Sequence, residues 1–252
     1  MRIDRLNAIE QHIFECNTAS LDELAELFGV SKNTIRRDLK ELLDRGRIKK
    51  VYGGVAINDT PTLLPMSVRS QSNMEAKRKI GALAAAQVED GSCVFLDSGS
   101  TTLALLPHLA EKKDVTVVTH RLSALYEAAK YPSLNVIALG GMYCPETASY
   151  VGASTVQAIC STNVDTAFIA ATGVSLDYGL SNSTYFEAEI KRSVVAHNRR
   201  NILLADNSKF DCHAAFSFCA FGQLFAVVTD LAPSQAYVER FKREDVKLFI
   251  AE

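Results

Sequence analysis

A single residue, Val30, separates Gly29 from Ser31, and this spacing leaves few arrangements open to the start of the chain. Ser20 and Glu23 form a capping-box pattern that opens a helix, and Leu21, Leu24, Ala25 and Phe28 share one face of it. Gly29 supplies the left-handed residue that ends it. Ser31 caps the next helix, which turns Ile35, Leu39, Leu42 and Leu43 inward and Lys32, Asn33, Thr34, Arg36, Arg37 and Lys40 outward. Ahead of both, Ile3, Leu6, Ile9, Ile13 and Phe14 recur at helical spacing, which predicts a first helix over residues 2–16. Two short helices joined by a tight glycine turn, the second cationic outside, read as a helix-turn-helix.

After Gly46 breaks the recognition helix, Ile48, Val51 and the pair Gly53-Gly54 predict a β-wing that carries Arg47, Lys49 and Lys50. The chain as a whole has a net charge of −2, yet the window from Lys32 to Lys50 holds eight basic and three acidic residues. A basic face focused on a mildly acidic protein suits a polyanion. The candidate DNA contacts are therefore Ser31, Lys32, Asn33, Thr34, Arg36, Arg37, Lys40, Arg47, Lys49 and Lys50. Asn and Arg offer bidentate bonds to base edges, Thr34 meets a phosphate or a thymine methyl, and the wing cations approach phosphates or the minor groove. Asp38 breaks the basic face and is read as orienting an arginine. The competing reading is a three-helix scaffold that binds protein.

Asn58 to Pro65 is rich in turn formers and carries two prolines, so residues 58–73 are assigned to a linker between an N-terminal domain, 1–57, and a second domain, 74–252. A helix is expected over 77–88, and Ser92-Cys-Val-Phe-Leu-Asp97 has the continuous apolar character of a strand buried on both faces. Ser98-Gly-Ser-Thr-Thr102 follows it directly and precedes a helix expected over 103–109. Gly99 allows close backbone approach, and the hydroxyls of Ser98, Ser100, Thr101 and Thr102 offer donors to a phosphate. The loop is neither a Walker loop nor a dinucleotide fingerprint. Strands over 115–118, 135–139, 166–170, 202–205, 225–228 and 246–250 alternate with helices over 122–129 and 186–196, and Gly173 and Gly179 read as turn residues. The fold class is α/β with a mainly parallel sheet. Asp97, Thr119, Gly140, Gly141, Gly173, Asp206 and the pair Thr229-Asp230 stand at strand ends, where ligands of such folds collect. In this reading Asp206 accepts from sugar hydroxyls and Lys209 neutralises a phosphate.

The run Val30-Ser-Lys-Asn-Thr-Ile-Arg-Arg-Asp-Leu39, followed by Lys50-Val-Tyr-Gly-Gly-Val55, resembles the DeoR family of bacterial sugar-metabolism repressors. The resemblance continues through Asp97-Ser-Gly-Ser-Thr-Thr102, Leu139-Gly-Gly141, Asp165 with Phe168 to Gly173, Glu187 with Lys191, and Asp206 to Phe210. It implies operator binding with Thr34, Arg36 and Arg37 at or near the DNA. It also implies an effector domain similar to ribose-5-phosphate isomerase, with phosphate at Ser98–Thr102, Lys209 nearby, and Glu187 where those enzymes carry an acid. Ser100 stands where Thr is commoner, and His120 follows Thr119 where Asn is usual. His120 is read either as shaping the sugar contacts or as an ordinary surface histidine.

Six cysteines without a C-x-x-C pair point to reduced thiols rather than disulfides or zinc. Cys212 and His213 are adjacent, a poor spacing for one metal. The start is not a signal peptide, and no apolar run nears the ~20 residues of a membrane span. The expectation is thus a cytoplasmic, homo-oligomeric repressor without metal or cofactor, acting on operator DNA and controlled by a phosphorylated sugar. The alternatives are a sugar-phosphate isomerase with an accessory helical domain and a DNA-architectural protein with an unliganded pocket.

Overall fold

The computed structural model describes residues 5, 6, 8, 9, 12, 13, 16, 18–44, 48–51, 53–57 and 72–251. The chain forms two compact units, Met1–Leu64 and Pro65–Glu252. Most of the expected linker (58–71), together with Phe14, Gly46 and Arg47, lies outside the described residues. Among the described residues no helix is long and apolar enough to cross a membrane.

In the first unit, residues 5, 6, 8, 9, 12, 13 and 16 are helical. The helices Leu21–Leu27 and Lys32–Asp44 follow. Ser20 Oγ accepts from the Glu23 amide, and Glu23 reaches back to the Ser20 amide, so the capping box is complete. Gly29 takes φ +60°, a conformation that a Cβ disfavours, and this sharp exit aims the next helix. Leu6, Ile9, Ile13, Leu24, Ile35, Leu39 and Leu42 share one core with Ile48 and Val55. A strand β1, Thr18–Ala19, pairs antiparallel with β3, Gly54–Ile57, which in turn pairs with β2, Ile48–Val51. The wing is therefore a three-stranded sheet rather than a simple ribbon, because a two-residue strand leaves no periodic signal in sequence.

The second unit is built on a seven-stranded parallel sheet. Its strands are β4 (Cys93–Leu96), β5 (Thr116–Thr119), β6 (Asn135–Ala138), β9 (Thr166–Ala170), β12 (Asn201–Leu204), β14 (Ala226–Thr229) and β15 (Lys247–Ile250). They lie in the order β15-β14-β12-β9-β4-β5-β6. Strands β9, β12 and β14 are buried along their whole length, which is why they read as unbroken apolar runs. One core covers each face. The chain runs outward from β4 through β5 and β6, then returns to place β9 on the other side of β4. Strand order thus reverses between β4 and β9, and crevices at such switch points hold ligands.

Three features depart from the sequence expectation. Between β6 and β9 lie a hairpin, β7 (Met142–Cys144) with β8 (Ser149–Val151), and a helix, Ala153–Cys160. Gly173 and Gly179 are not turn residues but begin β10 (Gly173–Ser175) and β11 (Gly179–Asn182). These two form an antiparallel sheet with β13 (Phe216–Cys219). The helix expected over 103–109 is instead a 3-10 turn, Thr102–Leu105, followed by a single α-turn, Leu106–Leu109, with Pro107 near its start. So short a segment aligns few peptide dipoles, and it contributes little of the anion attraction expected of it.

Candidate functional site

On the first unit, Ser31, Lys32, Asn33, Arg36, Arg37 and Lys40 are exposed and Thr34 is half-buried, while Ile35, Asp38, Leu39 and Leu42 are buried. The recognition helix therefore offers one polar face. Ser31 Oγ accepts from the Thr34 amide at 3.2 Å and lies 2.9 Å from the Thr34 hydroxyl. Arg36 donates to Asn33 Oδ1 at 3.0 Å, which sets these two side chains next to each other on the exposed face. Lys32 pairs with Asp22 of the preceding helix at 2.7 Å, an exposed contact of a kind that contributes little to stability. The arginine that Asp38 holds is Arg5, at 2.7 Å, so the acid ties the first helix to the recognition helix. Lys49 and Lys50 are exposed in β2 and, as neighbours in a strand, point to opposite faces of the wing. Lys49→Ala is expected to weaken specific and random DNA about equally and to flatten the salt dependence by roughly one unit of log–log slope per protomer. A loss confined to one operator in a salt-series binding assay would make Lys49 a sequence reader instead.

On the second unit, the loop after β4 occupies the switch point. A Cβ on Gly99 would lie 2.2 Å from Ala170 Cβ at the end of β9, so only glycine lets the loop pass this close. Beneath it, Lys191 is ion-paired with Asp97 and donates to the Ala170 carbonyl at 2.8 Å. Asp97 also accepts from the Ala170 amide at 3.0 Å. Glu187 lies four residues before Lys191 on the helix Tyr185–His197, and this spacing turns both toward the sheet. Glu187 accepts from the Ser98 hydroxyl and, at 2.5 Å, from Ser149 Oγ of β8.

His120 is fully buried, stacks on Phe95 with ring centroids 5.7 Å apart, and sets its Nε2 3.7 Å from Glu187. It is not the surface histidine that its position at a strand end allowed. Burial alone would raise the Glu187 carboxyl, but His120, Lys191 and the Ser149 hydroxyl outweigh it and hold the group well below the usual carboxylate range. A depressed folded-state value stabilises the fold above the unfolded-state carboxylate value, and that stability is lost as pH falls through the folded one. Urea unfolding should therefore show stability declining below about pH 4.3, and Glu187→Gln should flatten that acid limb. An unchanged limb would mean that the carboxylate is not held by these partners.

Asp97, His120 and Glu187 bring one ligand atom each within 4.8 Å of one another, a donor set able to hold a divalent cation. The Lys191 ammonium already lies on Asp97 and two hydroxyls donate to Glu187, so both carboxylates already have partners within the protein. His12, Cys16 and Glu23 form a second such group, with His12 on Glu23 at 3.2 Å. All six cysteines are free, and burial pushes the Cys219 thiol up to about 12.

The residues singled out from the sequence lie in separate surroundings. Asp97, Ser98, Thr119 and Glu187 lie under the loop, closed off from solvent and bonded within the protein. The Thr119 hydroxyl donates to the Leu96 carbonyl, and that of Thr102 is shared between the carbonyls of Asp97 and Gly99. This corrects the expectation that all the loop hydroxyls face a guest. The hydroxyls of Ser100 and Thr101 have no partner among the described residues, and neither do the backbone N–H groups of Ser98, Gly99 and Ser100. Gly140 and Gly141 join β6 to β7, where Thr155 donates to the Gly140 carbonyl at 2.9 Å. Asp206 and Lys209 follow β12. Asp206 accepts from Ser208 and from Asn73, and one of its carboxylate oxygens is buried without a partner among the described residues. Burial would raise the Asp206 carboxyl, but Lys209, Ser208 and Lys77 bring it below the ordinary value.

Arg121, Lys77 and Lys191 also belong to this region, and no motif in the sequence marks the first two. The i, i+4 pairing of Glu187 with Lys191 was the available signal for the last. Arg121 is buried, and its guanidinium donates to the carbonyls of Ser98 and Gly99 and to Ser123 Oγ at 2.5 Å.

Comparison with known proteins gives matches over both units. The model of the DeoR-like helix-turn-helix domain matches residues 5–61, and that of the DeoR C terminal sensor domain matches residues 72–231. The chain is 35% identical to the HTH-type transcriptional regulator IolR of Bacillus subtilis (strain 168), covering 100% of both. It is 28% identical to the glycerol-3-phosphate regulon repressor of Escherichia coli (strain K12), covering 97% of both. Among solved structures there is a distant overlap with ribose 5-phosphate isomerase A from Methanocaldococcus jannaschii, with TM-score 0.41 and 21% identity over 55% of each chain.

Proposed function

We propose that this chain, which belongs to the DeoR family of transcriptional regulators, represses a carbohydrate-metabolism operon and releases its operator when a phosphorylated sugar occupies the loop after β4. The chain is a regulator and not an enzyme, like the transcriptional regulators and repressors it is similar to. The observation that carries the effector reading is the loop itself. Among the described residues, three successive N–H groups, Ser98 to Ser100, and the hydroxyls of Ser100 and Thr101 have no partner at the switch point of a parallel sheet. Convergent backbone amides beside hydroxyls suit a tetrahedral oxyanion. Ser100, the half-buried member of the loop, marks the side from which a guest approaches. The E. coli relative named for a glycerol-3-phosphate regulon supports a small phosphorylated polyol as the chemical class.

DNA is held by the recognition-helix face and by the wing, through Lys49 and Lys50. A small winged helix reaches operator specificity by pairing with a second copy, so a homo-oligomer is part of this reading. Thermal-shift screening against sugar phosphates, with the free sugars as controls, tests the effector assignment. A ligand at a hundred times its dissociation constant adds about 2.7 kcal/mol to the native state. Stabilisation by the phosphorylated compounds alone, lost in Thr101→Val, is the expected result. Equal stabilisation by a free sugar would remove the phosphate from the account.

A further inference from the structure

We infer that Arg121 is a positioning residue of the effector loop, holding the Ser98 and Gly99 carbonyls inward so that the following amides face the ligand's anion. The inference rests on the reading of this loop as the phosphate site. In a planar trans peptide the C=O of one residue and the N–H of the next point in opposite directions. Three successive carbonyls are held from within: that of Asp97 by the Thr102 hydroxyl, that of Ser98 by Arg121, and that of Gly99 by both. The N–H groups of Ser98, Gly99 and Ser100 therefore point the other way, and among the described residues none of the three has an acceptor.

Arg121 is itself fixed from several directions. Its amide donates to Thr119 Oγ1 at 3.2 Å, its Nε to Ser123, and its backbone bridges to Ser149 of β8. The guanidinium also brings a permanent positive charge under the loop, which favours an anion on its outer side. A threonine or serine at this position would reach neither carbonyl.

Titration with inorganic phosphate, followed through the backbone amide resonances of the loop, tests this on the full chain. Arg121→Gln is expected to weaken phosphate by about tenfold or more, the scale of one charge-assisted hydrogen bond. Arg121→Lys, which keeps the charge but not the fork, is expected to recover part of the loss. DNA affinity should not change in either variant. Amide exchange on the unmodified protein gives a second measure: the Ser98, Gly99 and Ser100 amides should exchange freely without phosphate and be protected by it.

A folded Arg121→Gln with unchanged phosphate affinity would overturn the positioning role alone. Loop amides already protected without phosphate would overturn it even if neither variant folds. An unmodified protein whose loop amides ignore phosphate would overturn the effector reading, and this inference with it.

Discussion

Lys191→Met is expected to destabilise the effector domain by about 3–5 kcal/mol, the cost of leaving a buried charge without its counter-ion. Asp97 and Lys191 are both almost wholly enclosed, at 0% and 3% exposure, so water cannot replace the missing ammonium. The Ala170 amide and the Ser98 hydroxyl remain near the carboxylate, but they are neutral donors. The Ala170 carbonyl would also lose its Lys191 donor. Asp97→Asn combined with Lys191→Met removes both charges and should recover much of the loss, since neutral groups of similar shape tolerate the interior far better. Urea unfolding of the two variants measures the difference. A loss below about 1 kcal/mol in the single variant would mean that the pair is open to solvent or is not formed.

Arg36→Ala and Arg37→Ala should each weaken operator binding by about 1–3 kcal/mol if the arginine reads a base. Both side chains are exposed on the polar face, while the opposite face of the same helix enters the core through Ile35, Leu39 and Leu42. The fold should therefore survive either change, and a melting curve close to that of the unmodified protein is the control. Binding isotherms on an operator obtained by selection from random DNA give the comparison. Unchanged affinity in both variants would take this helix out of the interface.

The DNA-reading unit was legible in sequence because its determinants are local. The Ser20 cap, the exit at Gly29 and the Ser31 cap act within three or four residues, and the inner and outer faces of the recognition helix follow from its period. The parallel strands were legible for a similar reason, being short unbroken apolar runs. The three-stranded antiparallel sheet and the β7–β8 hairpin were not, since strands of three or four mixed residues resemble loops until their partners are known. Burial of charge was the least legible property. Lys191 meets Asp97 across 94 positions, and Arg121 meets the Ser98 carbonyl across 23. A rule that sends lysine and arginine to the surface fails where a distant partner neutralises or bonds the head group. His120 was ambiguous on the same ground, because its position at a strand end gave no sign of the carboxylate beside it.

Effector and operator are expected to oppose each other through this chain. A metabolite changes operator affinity only if it binds the DNA-competent and DNA-incompetent arrangements with different free energies. Linkage then makes the effect reciprocal, with a coupling of about 1–3 kcal/mol typical of such systems. The direct test is calorimetric titration of the sugar phosphate that stabilises the protein, performed on the protein alone and on its complex with saturating operator DNA. Weaker binding in the complex is expected, by the same factor as the metabolite weakens operator binding. Equal affinity in the two titrations would contradict it, and tighter binding to the complex would make the metabolite a corepressor.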